Sequence, residues 1–230
     1  MRLYVYAIAD SLTEVSPLTG VADEPLVLVR AGRVLVAGGW LPQVPALDRA
    51  VLSAQDRVVR ELHTRAGALL PMRFGTTVAS EAELERKIES LDPGLRDCLE
   101  LVRGREQMTL RVLRATGTAT AARDSDHRTS RTAAEARGAG ASYLEARRAA
   151  AVPSEITGLT SAVQPLQRAT RIERGRVEGL VATVYQLIDR GSSEAYRAAI
   201  KQAAAAQPSL TVRLTGPSPA YAFAAVVPKP

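Results

Sequence analysis

The segment 115–140 constrains this chain more than any other feature. It is built from Thr, Ala, Arg, Asp and Gly with no hydrophobic periodicity, so it offers neither a helix stripe nor an alternating strand face to bury. It is expected to be a polar linker or flexible loop. Periodic segments flank it on both sides, and the 230 residues therefore read as two modules, 1–114 and 141–230, of the size at which domains form their own cores.

The first module opens with strand patterns. Leu3–Ile8 alternates tyrosine and valine, and Leu26–Val29 and Val34–Ala37 flank Arg30-Ala31-Gly32-Arg33 as the arms of a hairpin. Leu47, Val51, Ala54, Val58 and Leu62 recur at helical spacing and predict a helix over 46–65 with one apolar face. Leu69–Phe74 reads as a short strand closed by Gly75, and Pro71 places it at an edge or a bulge because proline lacks a ladder donor. Ser80 with Glu83 forms a capping-box signature. Leu84, Ile88 and Leu91 continue the helix behind it. Asp92-Pro93 predicts a restart, followed by Leu95, Cys98, Leu99 and Val102, which makes Cys98 a core residue. Met108–Leu113 alternates as a further strand.

In the second module Tyr143–Ala151 and Ser154–Glu173 read as helices interrupted by Pro153 and Pro165. Val177–Ile188 reads as a strand, Ser192–Ala206 as a helix and Leu210–Leu214 as a strand that Gly216-Pro217 and Pro219 should stop. Strands and helices do not alternate regularly enough for a doubly wound parallel sheet. The fold class is therefore α+β in two domains.

Charge and composition narrow the functional classes. Residues 1–102 carry 11 basic and 14 acidic side chains and residues 103–230 carry 19 and 10, so the halves have opposite sign. Arginines cluster around the linker, yet acidic residues are interleaved and aromatics make up only 4%. Base stacking on a nucleic-acid surface has little to work with, so no nucleic-acid partner is expected. Cys98 is the only cysteine, which excludes a disulfide scaffold or a multi-cysteine metal site and points to the cytoplasm. No apolar run reaches the ~18 residues that span a bilayer, and no signal-peptide pattern follows Met1, so no membrane partner is expected.

The usual catalytic constellations are missing. There is no Gly-x-Ser-x-Gly elbow and no phosphate-binding Gly-Lys-Ser or Gly-Lys-Thr loop. His63 flanks an apolar stripe, His127 lies in the linker, and neither has clustered Cys or His. Gly138-Ala139-Gly140 has no strand before it and reads as loop. Glu81, Glu83 and Glu85 complement a helix N-terminus. The expectation is no enzyme, no cofactor, no metal and no small-molecule substrate.

Two stretches stand out: Leu70-Pro71-Met72-Arg73-Phe74-Gly75-Thr76, and Leu214-Thr215-Gly216-Pro217-Ser218-Pro219-Ala220-Tyr221-Ala222-Phe223. With the Leu-Tyr-Val-Tyr-Ala start and Tyr143-Leu144 followed by Arg147, they resemble the gas vesicle protein F/L family (GvpF/GvpL) over nearly the whole chain. Ser218 and Ala220 stand where that family usually has tryptophan and a second proline. The resemblance implies an N-terminal mixed α/β domain and a ferredoxin-like C-terminal domain with N-terminal helices and a Pro-rich tail. It implies a non-enzymatic accessory or minor structural protein of gas vesicle assembly, in the cytoplasm or on the gas vesicle. Its partners would be the hydrophobic shell protein and other gas vesicle accessory proteins, which it would keep soluble, nucleate or deliver. The family-motif positions are Leu70, Pro71, Arg73, Phe74, Gly75, Thr76, Tyr143, Arg147, Gly216, Pro217, Pro219, Tyr221 and Phe223. Pairing at the edge strands Leu69–Phe74 or Leu210–Leu214 would supply backbone contacts to such a partner. An arginine-rich nucleic-acid binder on the same fold is the alternative.

Overall fold

A computed structural model describes residues 1–115, 153–175 and 177–224. The linker beyond Ala115, the expected helix Tyr143–Ala151, and His127, Tyr143 and Arg147 lie outside the described residues. Two compact units are present. The first comprises Met1–Met108, Leu187–Gly191 and the described residues from Gly216 to Ala224; the second comprises the described parts of Thr109–Gln186 and Ser192–Thr215. The tail thus groups with the N-terminal elements.

The first sheet has the order β2-β3-β1-β4, with β5 also pairing β1. Its strands are β1 (Arg2–Ala9), β2 (Val27–Ala31), β3 (Val34–Leu41), β4 (Leu69–Pro71) and β5 (Thr77–Val78). Every pairing is antiparallel. Central β1 is fully covered, with every residue from Leu3 to Ala9 at most 2% exposed.

Strict alternation would put Ile8 on the same side as Tyr4 and Tyr6. The register with β3 instead slips between Val5 and Ala7, where two steps on β1 oppose one step from Gly38 to Ala37. Tyr6 is the extra residue of this bulge, and the strand's parity reverses beyond it. Tyr4, Tyr6, Ala7 and Ala9 consequently share one core cluster with Val58, Val59 and Leu62.

Those three residues belong to α1 (Arg49–Arg65), capped by Asp48, whose carboxylate accepts from the Val51 N–H at 2.8 Å. The buried face is Gln55, Val58, Val59 and Leu62. Leu47, expected on that stripe, precedes the helix and is 66% exposed. At the other end, the Arg190 guanidinium donates to the carbonyls of His63 (2.9 Å) and Ala66 (3.0 Å), neutralising the negative pole of the helix.

The second long helix, α2 (Glu81–Val102), starts as its capping box predicts: Ser80 Oγ accepts from the Glu83 N–H, and Glu83 accepts from the Ala79 N–H. It does not restart at Asp92-Pro93 but runs through. Leu84, Ile88, Leu95, Leu99 and Val102 stay on one buried face across the proline. Burying five such side chains, at about 1.5–3 kcal/mol each, outweighs the ~3 kcal/mol cost of an interior proline. Cys98 sits beside that stripe and is half-buried rather than core.

The second sheet has the order β7-β8-β6-β9, from β6 (Arg105–Arg114), β7 (Gln167–Arg174), β8 (Leu180–Asp189) and β9 (Leu210–Ser218). Among the described residues two α-helices interrupt these strands in sequence, α3 (Thr157–Ala162) after β6 and α4 (Ser193–Ala205) after β8. The Tyr196 hydroxyl on α4 donates to the Gln186 amide oxygen, and the Gln186 amide nitrogen donates to Thr170 Oγ1 at 3.3 Å. That bonding explains one correction. The expected helix over 154–173 ends at Ala162, and Gln167–Arg174 is a strand whose Thr170 and Ile172 favour a ladder once β8 is beside them. Another concerns β9, which continues past Gly216-Pro217 and ends at Ser218.

His63 gives this fold a pH signature. Burial, then the Arg190 charge and Arg60, push its imidazole down to about 4 from the ordinary 6.5, against the raising effect of the Arg105 carbonyl 3.2 Å away. The folded state keeps the ring neutral while the unfolded chain binds a proton between pH 6.5 and 4, so stability is full above pH 6.5 and falls across that window. The ring is half-buried, so solvent screening brings the ~3 kcal/mol ceiling to about 1–2 kcal/mol. Urea midpoints at pH 7.5 and 5 should differ accordingly, and His63→Gln should abolish most of that difference.

Candidate functional site

The loop between β4 and β5 carries the first distinctive stretch. Leu70 is 0% exposed and Pro71 is buried with it. Met72 N donates to the Tyr6 carbonyl at 2.8 Å, which ends the ladder with β1. The chain then turns. Thr76 donates from both its N–H (3.2 Å) and its Oγ1 (2.8 Å) to the Arg73 carbonyl, and its own carbonyl accepts from Val5 N at 2.9 Å. Gly75 has φ 82°, a left-handed conformation that strains any side chain.

This turn is latched from beneath. The Tyr4 hydroxyl donates to Gln55 Oε1 at 2.5 Å and accepts from the Gly75 N–H at 3.1 Å. Gln55 Nε2 in turn donates to the Met72 carbonyl at 3.1 Å. Burial raises the Tyr4 phenol above its usual range, opposed by the Gly75 N–H and helped by the charge of Glu24. Beside it, Tyr6 donates to Glu24 Oε1 at 2.5 Å and accepts from the Val21 N–H at 2.7 Å. Phe74 is half-buried against the same cluster, edge-on to Tyr4 with centroids 6.1 Å apart. Arg73 alone of the stretch points outward: it is exposed and joins no ion pair among the described residues.

From Gly216 onward the second stretch belongs to the same unit. Gly216 has φ 116°, and a Cβ there would lie 2.7 Å from the Gln107 carbonyl and 3.0 Å from the Met108 sulfur. Glycine is required twice over, by conformation and by space. The Gly216-Pro217 peptide is cis. The Pro217 carbonyl accepts from Arg60 on α1 at 3.0 Å, Ser218 Oγ donates to the Gln107 carbonyl at 3.3 Å, and the Ala222 N–H donates to Gln107 Oε1 at 2.8 Å. Pro219 is buried, and Tyr221–Phe223 forms a 3-10 turn against β4. Phe223 is 9% exposed and Tyr221 38%.

The two distinctive stretches therefore meet at β4, one supplying the strand and the other the turn that covers it. This corrects one expectation: the Leu69–Pro71 border is sealed, with Leu69 at 1% and Leu70 at 0%, so it offers no backbone for strand pairing. Tyr4, Gln55 and Gln107 carry the bracing, and their sequence surroundings mark them only as strand or helix residues. Among the described residues no group of three or more His, Cys, Asp or Glu is close enough to hold a metal ion, and no helix is long and apolar enough to cross a membrane.

This geometry defines a two-sheet mixed α/β protein whose most distinctive residues organise backbone turns. The chain belongs to the family described as gas vesicle synthesis protein GvpL/GvpF, matched over residues 2–225. Its fold is similar to that of the gas vesicle protein GvpF from Anabaena sp. PCC7120, with a TM-score of 0.71 and 17% identity over 97% of this chain and 95% of that one. GvpF from Microcystis aeruginosa is similar at a TM-score of 0.73 and 14% identity, covering 97% of this chain and 98% of that one. No match is found among curated proteins.

Two substitutions test the bracing. Tyr4→Phe leaves the buried Gln55 oxygen and the Gly75 N–H without their partner and should cost about 1–3 kcal/mol by chemical denaturation. Gly216→Ala should cost at least ~2 kcal/mol, because a left-handed strain of ~1–2 kcal/mol adds to the clash with Gln107. An unchanged denaturation midpoint in either variant would show that these contacts do not hold the stretches in place.

Proposed function

We propose that the protein is a non-enzymatic accessory or minor structural protein of gas vesicle assembly that binds hydrophobic shell subunits and other gas vesicle proteins and keeps them soluble, nucleates or delivers them. It would act in the cytoplasm or on the gas vesicle. The observation that carries this reading is the family match over residues 2–225. A shell subunit rich in apolar surface aggregates unless that surface is covered, and a binder with unpaired strand backbone can cover it.

The border strand β9 suits that task. Leu210, Val212 and Leu214 are half-buried while Thr211, Arg213 and Thr215 are exposed, so a partner strand would add to an alternating edge. The reading of the second sheet as ferredoxin-like draws support from its βαββαβ element order and its strand order β7-β8-β6-β9. Of the family-motif positions described, Arg73 and Tyr221 are the exposed ones and would touch the partner; the buried ones would shape the surface.

Co-expression with a gas vesicle shell subunit should yield a soluble complex recovered by pull-down from fresh lysate and retained at high salt. Arg73→Glu should reduce recovery several-fold without shifting the melting temperature. No complex in the unsubstituted protein defeats the proposal, and a complex that dissolves steeply with salt points instead to phosphate contacts.

A further inference from the structure

The face of β1 turned away from α1 is not fully packed. Val5 and Ile8, brought to one side by the bulge, line a cavity of about 370 Å³ together with Met72 and Val78 and with Leu84, Ile88 and Leu91 of α2. That volume lies at the lower end of the ~300–1,000 Å³ typical of small-molecule sites. The wall is aliphatic: no aromatic ring is among the lining residues. Ile8 (2%), Met72 (3%) and Ile88 (5%) are almost closed off from solvent, so a folded partner cannot enter, whereas a single flexible chain can. All these groups belong to the first unit.

The mouth is polar and carries surplus positive charge. Arg2 and Lys87 are exposed at the rim beside Thr76, Thr77 and Ser90. Arg2 donates its Nε to Thr77 Oγ1 at 3.1 Å, forms no ion pair among the described residues, and its charge acts on Glu83. Lys87 Nζ pairs with Glu83 at 2.8 Å, but the same carboxylate also accepts the Ala79 N–H at the start of α2. Two cations thus face one carboxylate that the helix terminus already shares.

We propose that this cavity binds a single-chain amphiphile with an anionic head group, its alkyl chain lying between β1 and α2 and its head held by Arg2 and Lys87. The site is separate from the β9 border and from the shell-subunit reading. Its aliphatic wall disfavours flat aromatic ligands, and the surplus charge at its mouth disfavours cationic ones.

Isothermal titration of the full chain with decanoate and with decyltrimethylammonium, both kept below micelle formation, tests it. Decanoate should saturate at one per chain and bind about fivefold or more tightly than the cationic amphiphile, the ratio that ~1 kcal/mol of partly screened charge confers. Arg2→Gln with Lys87→Gln should erase that ratio and leave the chain's own contribution. Ile88→Phe should fill the cavity and weaken decanoate at least tenfold with an unchanged circular dichroism spectrum. If that variant misfolds, Leu91→Phe at the half-buried rim gives the same reading. Unsaturable binding, equal affinity for the two head groups, or indifference to a folded aromatic variant overturns the proposal.

Discussion

The first unit depends on one strand being covered on both faces. β1 binds β3 along its length on one side and β4 and β5 on the other, and none of its residues beyond Arg2 is exposed. A strand in that position must present apolar or satisfied groups to two environments. The bulge at Tyr6 allows it, because it sends both tyrosines and two alanines toward α1 while Val5 and Ile8 face α2. The tyrosines bring hydroxyls into a core, and each hydroxyl is fully employed: one holds the β4–β5 turn, the other holds Glu24 and the chain at Val21. Buried phenols are tolerated here because each both donates and accepts.

Much of this arrangement was legible in the sequence, for local reasons. The hairpin around Gly32, the Ser80–Glu83 cap and the strand through Met108, Leu110 and Val112 follow from turn chemistry and period. What could not be read depends on neighbours distant in the chain. Gln167–Arg174 has helix-compatible residues and becomes a strand only because β8 and the Gln186 side chain are beside it. Pro93 looks like a boundary until the apolar stripe on either side is seen to keep one phase. The parity reversal at Tyr6 has no composition signal at all.

The two distinctive stretches were visible as patterns, but their roles were not. Leu70, Pro71, Gly75, Gly216 and Pro219 hold backbone in place; they are rare combinations because the conformations and clearances they meet are rare. The partners that read them, Tyr4, Gln55 and Gln107, are ordinary residues for a strand or helix. A buried amide is informative only once both of its ends are seen to be bonded, as Gln55 is to the Tyr4 hydroxyl and to the Met72 carbonyl.

Sealing β4 also redirects where this fold can meet another chain. A strand border attracts partners in proportion to the backbone it leaves unpaired. The tail turn Tyr221–Phe223 and the flanking helices remove that liability from the first sheet's β4 side, whereas β9 keeps alternating half-buried and exposed residues along its length. Any unpaired border that the fold retains needs safeguards against self-pairing. Arg213 lies in the middle of β9, exposed, where a second copy adding antiparallel about that residue would bring two guanidinium groups opposite each other, while an uncharged strand would meet no such repulsion. The charge on Arg213 therefore disfavours self-pairing at this border without a matching penalty for an uncharged strand.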